Sequence, residues 1–132
     1  MIPIESSNLR TMAYTDQDID EYLTRISFPS HKYPKPVKGL MSTQEGLEFL
    51  ARLQKYQLVA VPYENLSLHY AKFPAVSLDK NDLFEKIVRQ RRGGYCMELN
   101  LFFSKILQSL GYEIIHTGAR VYNPSIGEFG GW

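Results

Sequence analysis

The chain has 132 residues, the size of one ordinary domain, and its 44% hydrophobic content fits a folded globule rather than a disordered tract. Fifteen basic against fourteen acidic residues leave a net charge of +1, so the overall balance calls for neither nucleic acid nor an anionic membrane as partner. One cysteine excludes an internal disulfide, no apolar run is long enough to cross a bilayer, and Met1 to Arg10 lacks the pattern of a signal peptide, so a reducing, cytoplasmic setting is expected.

Met1 to Tyr14 shows no period and is expected to be an extended lead-in. Thr15 then offers an N-cap, with Asp16 and Asp18 suited to a first turn, before Ile19, Tyr22, Leu23 and Ile26 form an apolar stripe. Arg25 lies beside that stripe; an arbitrary arginine there packs its stem on the helix and solvates its head. Pro29, Pro34, Pro36 and Gly39 make Phe28 to Leu40 a loop, and its His31 is assigned no role. Ser42 with Glu45 reads as a capping box for a second helix through about Leu58, carrying Leu47, Leu50, Leu53 and Tyr56 on or near one face.

Pro62 breaks that helix, and Glu64 and Asn65 follow between apolar neighbours, where buried polar groups need partners. By residue type alone this is a turn in which Asn65 bonds its own backbone. No signature gives His69 a role. Ala71 to Ser77, with Pro74 in its middle, is a connector. Ser77 or Asp79 caps a third helix through Leu83, Phe84, Ile87 and Val88, which ends in the basic cluster Arg89, Arg91 and Arg92. No Gly-rich phosphate loop is present.

The stretch Arg91 to Asn100 holds the lone thiol. Gly93 and Gly94 allow a sharp turn and a close approach, and helical periodicity begins at once with Leu99, Phe102, Phe103, Ile106, Leu107 and Leu110, closed by Gly111. Cys96 therefore falls in the first turn of a helix, where free N–H groups, the helix dipole and the cations Arg91 and Arg92 favour thiolate. Glu98 opposes that effect if it points at the sulfur. From the residues alone Cys96 is either a nucleophile or a buried structural thiol. Past Gly111 the period changes: Tyr112 to Tyr122 is rich in β-branched and aromatic residues, Asn123-Pro124-Ser125 is a turn, and Glu128 to Trp132 begins a return strand. His116 on the first strand is assigned no catalytic role. The expected division is a helical part, 1–111, and the start of a β-domain, 112–132; a hairpin with one short arm is marginal alone and points to a longer sequence.

Arg92-Gly93-Gly94-Tyr95-Cys96-Met97-Glu98-Leu99-Asn100 resembles the R-G-G-x-C-x-[EQ]-x-N signature of the arylamine N-acetyltransferases. Tyr22-Leu23-Thr24-Arg25-Ile26 and Val61-Pro62-Tyr63-Glu64-Asn65-Leu66 resemble two further segments of that family, and the likeness runs from about Tyr14 to the last residue. The resemblance implies an α+β fold: an N-terminal three- to four-helix bundle followed by the first hairpin of a β-barrel domain that is cut short, in a cysteine-proteinase-like arrangement. It implies Cys96 as the acyl-accepting nucleophile of a xenobiotic-metabolising transferase, with Arg25, Glu64, Asn65, Arg92, Gly93, Gly94, Glu98 and Asn100 supporting the site. It also implies that Arg25 pairs with an acidic residue, for which Glu64 and Glu98 are the candidates. The implied partners are an acyl-CoA such as acetyl-CoA as co-substrate and an aromatic amine or hydrazine, with no metal and no permanently bound cofactor. The family's catalytic histidine and aspartate come later than Trp132, so the 132 residues are expected to be a fragment of weak or no activity. A catalytically inactive relative and a thiol hydrolase are the alternatives. The sequence carries no signal for oligomeric state.

Overall fold

Thr15 begins the first helix as expected. In the structure, a computed structural model that describes residues 13–72 and 76–130, its hydroxyl accepts the Asp18 N–H at 3.1 Å and the Asp18 carboxylate accepts the Thr15 N–H at 2.9 Å. Helix α1 spans Asp16–Arg25 and turns Ile19, Tyr22 and Leu23 inward, with Ile26 buried just beyond it. The lead-in before residue 13, Pro74 in the connector and the end of the return strand at Trp132 lie outside the described residues.

Helix α2 spans Gln44–Ala60 and starts one residue later than Ser42 and Glu45 imply: Thr43 is the N-cap, accepting the Gly46 N–H at 3.4 Å. Its core face also differs from expectation. Gly46, Phe49, Leu53 and Gln57 are buried, Leu50 and Tyr56 flank them half-buried, and Leu47 is exposed. Gly46 sets this rotation, because a Cβ there would stand 2.2 Å from the Met41 carbonyl oxygen, and only glycine lets the chain pack so closely. Gln57 is buried because the fully buried Tyr22 donates its hydroxyl to Gln57 Oε1 at 2.8 Å. Burial holds the Tyr22 phenol far above its ordinary pKa, so it remains a donor.

A one-turn helix α3, Leu66–Tyr70, stands where sequence implied only a turn. The side chain of Asn65 does not cap it; Glu64 does, through Oε2 and the Leu66 N–H at 2.6 Å. Helix α4 spans Lys80–Phe84 behind Asp79, whose Oδ1 accepts the N–H groups of Asn81 and Asp82 at 2.8 and 3.3 Å. It does not continue as an α-helix to the basic cluster. A wide π-turn, Glu85–Arg89, takes over and releases the chain at Arg91, which adopts a left-handed φ of 55°.

Helix α5, Cys96–Leu110, has the expected limits, and Gly111 closes it at φ 104°. The Tyr112 and Gly111 N–H groups bond to the carbonyls of Leu107 and Gln108, each at 3.0 Å, completing a Schellman motif. Phe102 and Ile106 of α5 are fully buried against α1 and α4. The Phe102 ring meets Tyr22 edge-on at 5.6 Å, and Tyr14 lies between Phe84 at 5.1 Å and Phe102 at 6.0 Å.

The long strand expected over Tyr112 to Tyr122 is not formed. Strand β1 is Tyr122–Asn123 and strand β2 is Glu128–Phe129, antiparallel with Tyr122 opposite Phe129. The expected turn is present: Asn123 Oδ1 accepts the Ser125 N–H at 3.0 Å, and Gly127 supplies the positive φ of 71°. β-branched residues favour extended backbone, but a ladder needs a neighbour, and Ile115 to Gly130 lie exposed without one beyond this hairpin. The described residues are thus a helical body with a small two-stranded sheet, and no helix among them is long and apolar enough to cross a membrane.

Candidate active site

Two loops lie side by side in front of α5. The first leaves α2 at Ala60 and runs to Glu64; the second runs from Arg91 to Tyr95. Gly94 donates its N–H to the Pro62 carbonyl at 3.3 Å, Glu64 returns its own to the Gly94 carbonyl at 2.9 Å, and Tyr63 and Gly94 form a parallel bridge. The two glycines do not make the turn, which falls instead on Arg91. They permit contact. A Cβ on Gly93 would stand 1.7 Å from the Pro62 oxygen, and one on Gly94 would stand 3.0 Å from the Glu98 side chain. The close approach expected at the glycines is made by the protein itself, through Pro62 and Glu98.

Arg25 fastens this arrangement from behind. Its side chain is buried, and the guanidinium donates to the carbonyls of Ile87 at 2.8 Å, Ala60 at 3.1 Å and Arg91 at 3.3 Å. It pairs with neither Glu64 nor Glu98, which corrects the expectation. The reason is electrostatic: carbonyls at the ends of α2 and the π-turn lack helical partners and carry partial negative charge, so a planar cation with several donors satisfies three at once. Burial and the nearby Arg91 charge both lower the Arg25 pKa. Replacing Arg25 by Leu strands those carbonyls. We expect a loss of about 3 kcal/mol in urea unfolding, and a loss below about 1 kcal/mol would contradict the clamp.

The two candidate carboxylates have other partners. Glu64 Oε1 lies 3.6 Å from Arg92 Nη2, which also donates to Ser67 Oγ at 2.9 Å. Arg92 is therefore engaged with the start of α3, through Glu64 before it and Ser67 within it. Glu98 is buried at the third position of α5, where Oε1 accepts the Tyr95 N–H at 3.3 Å and Oε2 pairs with Lys86 Nζ at 2.7 Å. It closes the capping interaction that Tyr95 cannot supply with an ordinary Ser or Thr hydroxyl.

Cys96 is the first residue of α5 and is exposed, which removes the reading of a buried structural thiol. Tyr63 of the neighbouring loop interacts with it, and that interaction with the Cys96 side chain, ahead of desolvation, raises the Tyr63 pKa. Cys96, Met97, Asn100 and Leu101 line a cavity of about 350 Å³ together with Leu78 and His116. The structure thus brings together Cys96, Glu98, Gly93 and Gly94 with Glu64 and Arg92 next to them, sets Arg25 behind, and leaves Asn100 on the cavity wall and Asn65 exposed. Sequence reasoning missed Tyr63, Lys86 and His116 as members of this neighbourhood. Tyr63 lay inside a quoted motif, whereas Lys86 and His116 have no local signal and enter only through the fold.

A family model described as N-acetyltransferase matches residues 46–130, which include both loops and all of α5. An N-malonyltransferase of Gibberella moniliformis is 37% identical over 126 residues, covering 91% of this chain and 36% of that protein. A pineal gland arylamine N-acetyltransferase isozyme of Gallus gallus is 41% identical over 107 residues, 81% of this chain and 33% of its own length. Arylamine N-acetyltransferase 1 of Bos taurus is 33% identical over 106 residues, 80% and 32%. The chain spans about a third of the length of these relatives. With a matched region that carries the exposed thiol, the pinned glycine pair before it and the helix behind them, the chain belongs to the arylamine N-acetyltransferase family.

Proposed function

We propose that this chain supplies the nucleophile of an acyl-CoA:arylamine N-acyltransferase, with Cys96 as the residue that carries the acyl group. The observation that carries the reading is an accessible thiol at the start of a helix in a chain of this family, beneath a turn fixed by backbone bonds to a neighbouring loop. In the first step the Cys96 sulfur attacks the thioester carbonyl carbon, the carbon–sulfur bond to CoA breaks, and CoA leaves as its thiol after taking up a proton. In the second the nitrogen of an aromatic amine or hydrazine attacks the acyl-cysteine, loses a proton, and the Cys96 sulfur departs. A thioester is exchanged for a thioester before the amide forms, so the first step is nearly balanced.

The general base and its orienting acid are assigned, on the family resemblance, to a histidine and an aspartate of a β-barrel domain that follows the helical residues 1–111 and begins with residues 112–132, giving a cysteine-proteinase-like arrangement. The relatives' names support two acyl groups, acetyl and malonyl. A cytoplasmic setting suits a lone unpaired thiol.

The test is acyl capture. The 132-residue chain is incubated with acetyl-CoA or malonyl-CoA, quenched in acid and mapped by mass spectrometry, then chased with aniline. One acyl group on the peptide bearing Cys96, formed slowly and released to aniline as the anilide, is the expected result. Acylation of a peptide other than the one bearing Cys96 would overturn the nucleophile assignment. Release to water as fast as to the amine would instead favour a thiol hydrolase.

A further inference from the structure

The ion pair between Lys86 and Glu98 stands directly beneath the nucleophile's turn. Its side chains are 16% and 5% exposed, and the Nζ to Oε2 distance is 2.7 Å. We propose that Lys86 is a positioning residue for Cys96: it holds Glu98 in place as the cap of the Tyr95–Cys96 turn and neutralises a carboxylate that otherwise opposes a thiolate on the same helical turn. This deepens the acyltransferase reading and rests on it.

Glu98 serves the turn in two ways. Its Oε1 accepts the Tyr95 N–H, one residue before the thiol, and its side chain fills the space beside Gly94. A carboxylate at this position suits the helix dipole, but it is a like charge for a sulfur anion two residues away. Because the carboxylate is buried, its field is poorly screened by solvent or salt. An ammonium at 2.7 Å turns that single charge into a short dipole, whose field falls off faster with distance. The wide π-turn is what delivers Lys86 to this place. The Lys86 carbonyl also accepts the Arg92 N–H at 3.0 Å, so the residue is tied to the nucleophile's loop by backbone and side chain together.

The other titratable and charged groups around the thiol are engaged differently. From the neighbouring loop come Tyr63, whose phenol is influenced by Cys96, and Glu64, which faces Arg92 of the nucleophile's own loop; the Tyr95 hydroxyl bonds Met97 Sδ at 3.3 Å, and His116 shares the cavity wall with Cys96. The two Glu98 oxygens are taken by Lys86 and the Tyr95 N–H.

The experiment is the pH profile of alkylation by iodoacetamide on the 132-residue chain, where Cys96 is the only cysteine and reports without background. In Lys86→Gln the midpoint of the profile should move up by about one pH unit and the rate at neutral pH should fall about tenfold, because Glu98 is left uncompensated. Lys86→Arg should stay within about twofold of the parent. The double change Lys86→Gln with Glu98→Gln should return the midpoint toward the parent, since both charges are gone. Melting temperatures are read alongside. A profile that superimposes on the parent while Lys86→Gln lowers the melting temperature would mean a purely structural pair and overturn the proposal. If Lys86→Gln does not fold, Glu98→Gln decides: the proposal requires its midpoint to move down, and an unmoved midpoint rejects it. Acyl capture by the parent chain runs in parallel. Acylated Cys96 with unmoved profiles sinks the role of Lys86 alone, whereas moved profiles with acylation at a residue other than Cys96 sink the acyltransferase reading alone.

Discussion

Cys96→Ser will leave the fold intact and abolish acyl capture. The side chain is exposed at the start of α5, outside the apolar core built on Tyr22, Phe102 and Ile106, so exchanging sulfur for oxygen removes little packing. The change in unfolding free energy should stay within about 0.5 kcal/mol, in the range of surface substitutions. The chemistry is affected far more. A thiol is partly ionised near neutral pH and strongly nucleophilic, whereas an unassisted serine hydroxyl is neither, and it becomes reactive only beside an adjacent base. Loss of capture should therefore exceed about three orders of magnitude. The check is quenched mass spectrometry of parent and variant with the same acyl-CoA, beside urea melts of both. Acylation of the Cys96→Ser variant at a rate near that of the parent would sink the covalent mechanism, and a large fall in stability would show that the thiol belongs to the core after all.

What sequence revealed, and what it did not, divides by the range of the interactions. Helix α1 was legible because Thr15, Asp18 and the Ile19–Tyr22–Leu23 stripe act within two turns of one another. Helix α5 was legible for the same reason, with Gly111 and Tyr112 closing it through bonds to residues three and five positions back, respectively. The face of α2 was misread because a tertiary contact decides it: Gly46 must meet the Met41 backbone, and that rotation exposes Leu47 and buries Gln57 for Tyr22. The strand over Tyr112 to Tyr122 failed for want of a neighbour, since propensity describes how well a residue fits a sheet and does not supply the sheet. At the candidate site, the thiol, the helix start and the glycines were visible in one short motif. The partner of Arg25 was not, because three backbone carbonyls have no side-chain signature and appear only when the ends of α2, the π-turn and the loop from Arg91 to Tyr95 converge. Lys86 was hidden behind the π-turn that aims it at Glu98.

Gly93→Ala should be the most damaging single methyl group in this part of the molecule. Its cause is not backbone strain, since among the described glycines those at positive φ are Gly39, Gly111 and Gly127. It is collision: the added Cβ would lie 1.7 Å from the Pro62 carbonyl oxygen and 2.9 Å from that residue's ring. A carbonyl oxygen that receives the Gly94 N–H cannot swing away without breaking that bond and the return bond from Glu64, so both loops must part. We expect a loss on the order of 4 kcal/mol, at the upper end of single substitutions, with failure to fold at physiological temperature as the extreme outcome. Gly94→Ala is the internal control. There the new methyl group would meet the Glu98 side chain at 3.0 Å, which can shift by a few tenths of an ångström, so a cost of about 1 kcal/mol is expected. Urea melts rank the two variants, and iodoacetamide alkylation of Cys96 follows the turn itself. Parted loops break the Tyr63–Gly94 bridge and free the start of α5, so Gly93→Ala should alter the rate of Cys96 alkylation even under conditions where the helical body remains folded. Equal stabilities for Gly93→Ala and the parent would mean that the two loops are not in contact, and the site would have to be rebuilt without the Pro62–Gly94 and Gly94–Glu64 bonds.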